Sequence, residues 1–212
     1  MISLTGWPRR ITALFLGSMT VLALPPFHVW PLLIPGFVGL AWLIDGCRTS
    51  KEPQCLTITR LASWSAFSIG WWFGLGFFSA GLYWLSLSFL VDAATFAWMI
   101  PFALFGISAS MALYIGLTGW LAYVSSQGSV SCGLFLALWW VIFEWIRGWA
   151  FSGFPWNLLG TVWTISDAMI QLTAVTGVFG LSLVTVLAAV VPSTLGNKNI
   201  KLSKRYALTS IA

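Results

Sequence analysis

The sequence predicts an all-α fold, a polytopic transmembrane helical bundle of about six spans, and three observations carry that prediction. The 212 residues are 59% hydrophobic and only 7% charged, where a soluble domain carries roughly a quarter charged residues. The charges are spaced so that uncharged runs cover Ile11 to Ile44, Leu61 to Val91, Ala93 to Phe143, Gly148 to Ser166 and Ala168 to Asn197. The Lys and Arg residues fall almost entirely on one side of the spans those runs imply. With so little polar surface, lipid must act as solvent for much of the chain. Disordered, fibrous and disulfide-scaffold classes are excluded. The net charge of +5 reads as membrane topology, and no nucleic-acid partner is expected.

A crossing helix needs about 20 apolar residues, so the longer runs must fold back. Pro25-Pro26 removes two backbone donors and divides the first run into spans at about 11–24 and 29–44, joined by a Pro-Pro-Phe-His turn. The third span covers about 61–91. The polar cluster Ser125 to Ser129 separates a fourth span, about 96–124, from a fifth at about 132–145, and a sixth follows at about 170–191. With the amino terminus inside, Arg9, Arg10, Arg48, Lys51, Arg60, Lys198, Lys201, Lys204 and Arg205 lie on the inner side and only Arg147 on the outer. Reading the first run as one span scatters the same charges seven to three, so the hairpin is preferred. Small residues at four-residue spacing, Gly70 and Gly74, Gly76 and Ala80, then Ser108, Ala112 and Gly116, predict close helix contacts.

The first apolar stretch ends in Pro-Pro without a cleavage pattern and reads as a retained span. Cys47, Cys55 and Cys132 form no C-x-x-C pair, and their odd number argues against a disulfide framework. After the basic stretch Lys198 to Arg205, the residues Tyr206 to Ala212 resemble the first turns of another apolar segment, as though a seventh span were truncated. The chain is expected to be one membrane domain, residues 1–212.

Catalytic signatures are missing: there is no G-x-S-x-G, H-E-x-x-H or phosphate-loop pattern, and no metal or cofactor is called for. The single histidine, His28, sits in the proline turn and reads as structural. Asp92 and Asp167 read as solvated helix ends. The informative stretch is Glu144 to Asn157. A carboxylate near a bilayer costs on the order of 2.5 to 3.5 kcal/mol, so Glu144 is expected to pair with Arg147 at i+3. Gly148, Gly153 and Pro155 are expected to break the helix there. Trp145, Trp149, Phe151, Phe154 and Trp156 supply rings that favour headgroup depth. Tyr83 and Trp84, near the same interface, complete the candidate lipid-facing set of Tyr83, Trp84, Glu144, Arg147, Trp149, Phe154, Pro155, Trp156 and Asn157, with Pro25, Pro26, Gly148 and Gly153 as turn formers.

These segments resemble the amino-terminal membrane domain of the apolipoprotein N-acyltransferase family. The resemblance rests on Leu22-Ala-Leu-Pro-Pro-Phe27 with Trp30-Pro31, on the Gly-Leu-Tyr-Trp core of Gly76 to Leu85, on Glu144-Trp-Ile-Arg-Gly-Trp149 with Gly153-Phe-Pro-Trp-Asn157, and on Gly177 to Ser182. It implies a multi-pass protein of the bacterial inner membrane, with phospholipid as acyl donor and a diacylglyceryl lipoprotein as acceptor. In the family, a Glu, a Lys and a Cys of a nitrilase-like domain form the thioester intermediate. The longest polar loop here, Asp45 to Arg60, is too short for such a domain, and none of the three cysteines matches the family nucleophile. No catalytic residue carries over, the chain is expected to be inactive alone, and a separate nitrilase-like domain becomes an expected partner. A remnant or one half of a split gene, and a small transporter, are the alternatives.

Overall fold

The computed structural model describes residues 6–48, 56–151 and 153–196. Among them all regular structure is helical: α1 (Trp7–Thr20), α2 (Leu33–Asp45), α3 (Leu56–Gly81), α4 (Leu85–Phe89), α5 (Ala93–Phe96), α6 (Ile100–Ser125), α7 (Ser129–Trp149), α8 (Asp167–Ile170) and α9 (Thr173–Val190). Among the described residues three stretches, Ala93–Ser125, Val130–Trp149 and Thr173–Thr194, are long and apolar enough to cross a membrane, and Trp30–Asp45 is apolar but shorter.

The proline turn divides the first run as its chemistry requires. Leu24 leaves the helix with ψ 162°, neither Pro25 nor Pro26 can donate, and the chain reverses through bonds from the Phe27 and His28 amides to the Leu24 carbonyl, each 3.1 Å. His28 takes a left-handed φ of 53° to complete the reversal. At the opposite end, Arg48 ties the chain after α2 to the end of α6. Its Nη2 donates to the Tyr123 carbonyl at 2.8 Å and to the Ser126 hydroxyl, its Nε lies 3.2 Å from Asp45, and its guanidinium covers the Tyr123 ring at 4.7 Å. Arg9 of α1 donates to the Leu43 carbonyl of α2. The start of α1, the end of α2 and the α6–α7 turn therefore share one end of the bundle, and the proline turn lies at the other.

Helix α3 packs between α1 and α6 through residues with no side chain to intervene. Gly17 of α1 lies against the Phe73 carbonyl, Gly76 against that of Leu14, and Gly70 against that of Ile115, so closely that a Cβ at any of them would overlap backbone. Phe37 of α2, Phe73 and Phe77 of α3, and Trp140 of α7 fill the centre, with ring centroids 4.9 to 6.1 Å apart. Their edge-on contacts suit the ring quadrupoles. Buried Thr20, Thr118 and Thr185 return their hydroxyls to carbonyls one turn back in their own helices, at 2.7 to 2.9 Å.

Several boundaries differ from the sequence reading. The third helix stops at Gly81 instead of Val91; Leu82 to Trp84 form a turn before α4. Because residues 82–90 are uncharged and free of proline and glycine, composition carried no sign of that turn, which coincides with Gly81 meeting Asn157 across the bundle. The fourth long helix begins at Ile100, where Pro101 occupies a first-turn position that needs no donor. The fifth runs past Trp145 to Trp149, with Gly148 inside it: one glycine costs a helix only about 1 kcal/mol and does not end it. The last long helix begins at Thr173 and is kinked at Gly177, where φ is 66°. Cys55 and the stretch 197–212 lie outside the described residues.

Candidate functional site

Helix α7 carries Trp140, Glu144 and Arg147 at four- and three-residue spacing, which places them on one face. Both charged residues are only 3% exposed. They do not form the ion pair their spacing suggests. Glu144 Oε1 instead accepts the Leu159 backbone N–H at 2.8 Å and the Trp140 indole N–H at 3.3 Å. Arg147 Nη1 donates to the Trp156 carbonyl at 2.6 Å, and its guanidinium lies 5.0 Å from the Phe78 ring centre. The loop after α7 offers each charge a backbone partner, so the expected contact at the interface is replaced by two buried anchors for one loop.

The loop is shaped to meet them. Ala150 turns extended with ψ 140°, Phe151 projects fully into the surroundings, and Gly153 takes φ 74°. A Cβ on Gly153 would crowd the Gly148 carbonyl, so this glycine is needed for both its dihedral and its close approach. The Gly153 amide bonds to the Ala150 carbonyl at 2.9 Å, and the Phe154 amide returns to the Arg147 carbonyl at 2.8 Å. Asn157 also sits at positive φ, 56°, a region that asparagine enters more readily than other side-chain-bearing residues.

Other elements hold the continuation, a 3₁₀ segment at Leu159–Ile165. From α9, Ser182 Oγ accepts the Gly160 amide at 2.8 Å and Thr185 Oγ1 accepts the Trp163 indole N–H at 2.7 Å. From the proline turn, His28 Nδ1 lies 3.3 Å from the Val162 carbonyl.

Two clefts flank the anchored turn. One, of about 570 Å³, is bounded by the proline turn, the end of α3 and the loop; Pro25, Pro26, Tyr83, Trp84, Pro155, Trp156 and Asn157 all line it, and the Trp84 and Trp156 rings lie 5.3 Å apart. The other, of about 330 Å³, opens between α6 and the loop, with Tyr114, Arg147, Gly153 and Phe154 among its walls. Most of the expected residues are therefore gathered around one turn. Trp149 is not: it is 59% exposed and packs on Trp145 along the outside of α7. Gly148 belongs to the helix, and Glu144 supports the loop without lining either cleft.

Sequence reasoning missed Phe78, Tyr114, Ser182 and Thr185. A hydroxyl-bearing residue in an apolar helix gives no sign of which loop it will reach. The thiols of Cys47 and Cys132 are free, buried and remote from this turn. Burial pushes the Cys47 thiol up from its ordinary range, partly opposed by Arg9 and Arg48. Among the described residues no His, Cys, Asp and Glu cluster could hold a metal ion.

Comparison with known proteins matches this arrangement to one family. Residues 16–191 fit the family model described as the apolipoprotein N-acyltransferase N-terminal domain. An apolipoprotein N-acyltransferase of Rhodopseudomonas palustris is 38% identical over 207 residues, which is 98% of this chain and 37% of the relative. That of Rhizobium rhizogenes is 36% identical over 198 residues, 93% of this chain and 36% of the relative. The Caulobacter vibrioides protein is 37% identical over 187 residues, 88% of this chain and 33% of the relative. The chain thus spans little more than a third of the length of the relatives it matches. On these matches, this all-helical membrane chain belongs to the apolipoprotein N-acyltransferase family and corresponds to its amino-terminal domain.

Proposed function

We propose that this chain is the membrane-embedded docking domain for an acyl transfer from phospholipid to the amino terminus of a diacylglyceryl lipoprotein. It works in the bacterial inner membrane with six crossings and its amino terminus inside, and it serves a nitrilase-like catalytic domain. The observation that supports this reading is the turn Gly153–Asn157, fixed from below by Glu144 and Arg147 and flanked by two largely apolar clefts. Rings of Trp84, Trp156 and Phe154 supply walls for acyl chains, and the anchored backbone keeps those walls from collapsing when a lipid leaves. The domain contributes binding and orientation. Among the described residues around the turn there is no thiol, and the chemistry is assigned to groups of the catalytic domain.

Photo-crosslinking tests this reading. A phosphatidylethanolamine carrying a diazirine on one acyl chain should label α3 and the loop between 153 and 164 in the purified chain, and excess unlabelled phospholipid should compete. Labelling spread evenly over the lipid-facing helices, without competition, would contradict it.

A further inference from the structure

We infer that Arg147 and Tyr114 hold the phosphate of a phospholipid in the 330 Å³ cleft between α6 and the loop, the guanidinium donating to its non-bridging oxygens. The inference rests on the docking reading above and gives the second cleft a chemistry of its own. Arg147 is only 3% exposed, and it lines that cleft. Its contacts within the protein use only part of the guanidinium: Nη1 donates to the Trp156 carbonyl at 2.6 Å, and the Phe78 ring centre lies 5.0 Å away. Nε and Nη2 have no acceptor among the described residues, and neither nitrogen is sealed inside the protein. Two donors on one planar edge match two oxygens of one phosphate.

The other polar groups of the lining sort themselves. Ser110 is committed, its hydroxyl donating to the Gly106 carbonyl at 2.7 Å. The Tyr114 hydroxyl is neither bonded to a described residue nor sealed, and its ring packs on Phe143 with centroids 6.3 Å apart, so it offers a third donor from the opposite wall. Arg147 is the one charged group among the described lining residues. Glu144, one turn earlier, directs its carboxylate to the Leu159 amide and the Trp140 indole and does not line the cleft. A buried cation with no carboxylate in contact favours an anion. The remaining walls, Ile107, Met111, Phe151 and Phe154, are apolar, and Phe102 and Phe105, earlier on α6, are exposed. The anion that suits such surroundings carries alkyl chains, which makes it a phospholipid and not free phosphate.

The test is native mass spectrometry of the purified chain offered equimolar dioleoylphosphatidylglycerol and dioleoylglycerol, which share their acyl chains and differ by the phosphate headgroup. The reading is the ratio of the two, because a merely loosened loop lowers the retention of both together. The wild type should retain the phospholipid over the diacylglycerol by roughly tenfold or more, the range of a charged hydrogen bond. Arg147→Lys, which keeps the charge and loses the planar edge, should keep part of the preference, and Arg147→Met should lose it. Tyr114→Phe, which keeps the ring on Phe143, should lower the ratio by roughly two- to tenfold, the range of a neutral hydrogen bond. A wild-type ratio near one, or a ratio unchanged in Arg147→Met, would overturn the assignment and leave the docking reading intact. Should Arg147→Met fail to fold, an unchanged ratio in Tyr114→Phe overturns it equally. Inorganic phosphate at millimolar concentration should not displace the phospholipid; displacement would assign the site to free phosphate and overturn the lipid source. Retention of no lipid at all would overturn both readings.

Discussion

Arg147 donates to the carbonyl of Trp156 at 2.6 Å from within a helix, while the same guanidinium lies over Phe78. One side chain thereby joins α7, α3 and the loop that forms the wall of both clefts. A planar fork can make both contacts at once, and an ammonium cannot. Arg147→Lys should destabilise the chain by about 1–3 kcal/mol. Thermal unfolding in detergent would show it as a lowered midpoint, and iodide quenching should reach Trp156 more readily.

Glu144 anchors the same loop from one turn earlier. Glu144→Ala leaves the Leu159 amide without its acceptor in a buried site, at a cost of about 1–3 kcal/mol. Glu144→Gln keeps a carbonyl oxygen there and should cost less than half as much. Amide exchange at residues 158–160 separates the two, with strong acceleration expected only in the alanine variant.

The α1–α3 seam makes a prediction about packing alone. Gly17→Ala places a methyl on the Phe73 backbone, which cannot withdraw, and should cost about 1–3 kcal/mol. Gly106, also within a long helix, has open space around it. Gly106→Ala should leave stability unchanged or raise it by up to about 1 kcal/mol through helix propensity. Unfolding midpoints of the two variants should therefore move in opposite directions or differ clearly in size.

Cys47 provides a pH test at the other end of the bundle. Burial raises its thiol above the ordinary value of 9.0, so the native state holds that proton to higher pH than the unfolded chain does. Its contribution to stability is full below about pH 9 and is lost as pH rises through the folded value. Maleimide labelling of Cys47 in the folded chain should be slow at pH 7 and should still be rising above pH 9. A rate that levels off below pH 9 would contradict the raised thiol.

Much of the architecture was legible because its signals are local. Pro25-Pro26 removes donors whatever surrounds it, and the polar residues 125–129 have no apolar period to continue, so both turns fall where the sequence places them. The end of α3 was not legible, because residues 82–90 read as helix and the close approach of Asn157 to Gly81 at that break comes from far along the chain. Glu144 and Arg147 show the same limit at the site. Their i, i+3 spacing is a pairing signal only while no better partner is available, and the Trp156 carbonyl and Leu159 amide are brought within reach only by the reversal at Gly153. The aromatic set was found by composition. Trp149 entered it because its ring type matched, although its helical position points it away from the turn.

The most direct test of the docking account is amino-terminal acylation of a reporter lipoprotein, read by mass spectrometry in cells depleted of their own acyltransferase. Cells expressing this chain alone should show none. Fusing a nitrilase-like domain from a relative after its last residue should restore acylation, and Arg147→Lys should reduce it at equal protein level. Acylation by the chain alone would contradict the account, because catalysis would then reside in residues assigned here only to binding.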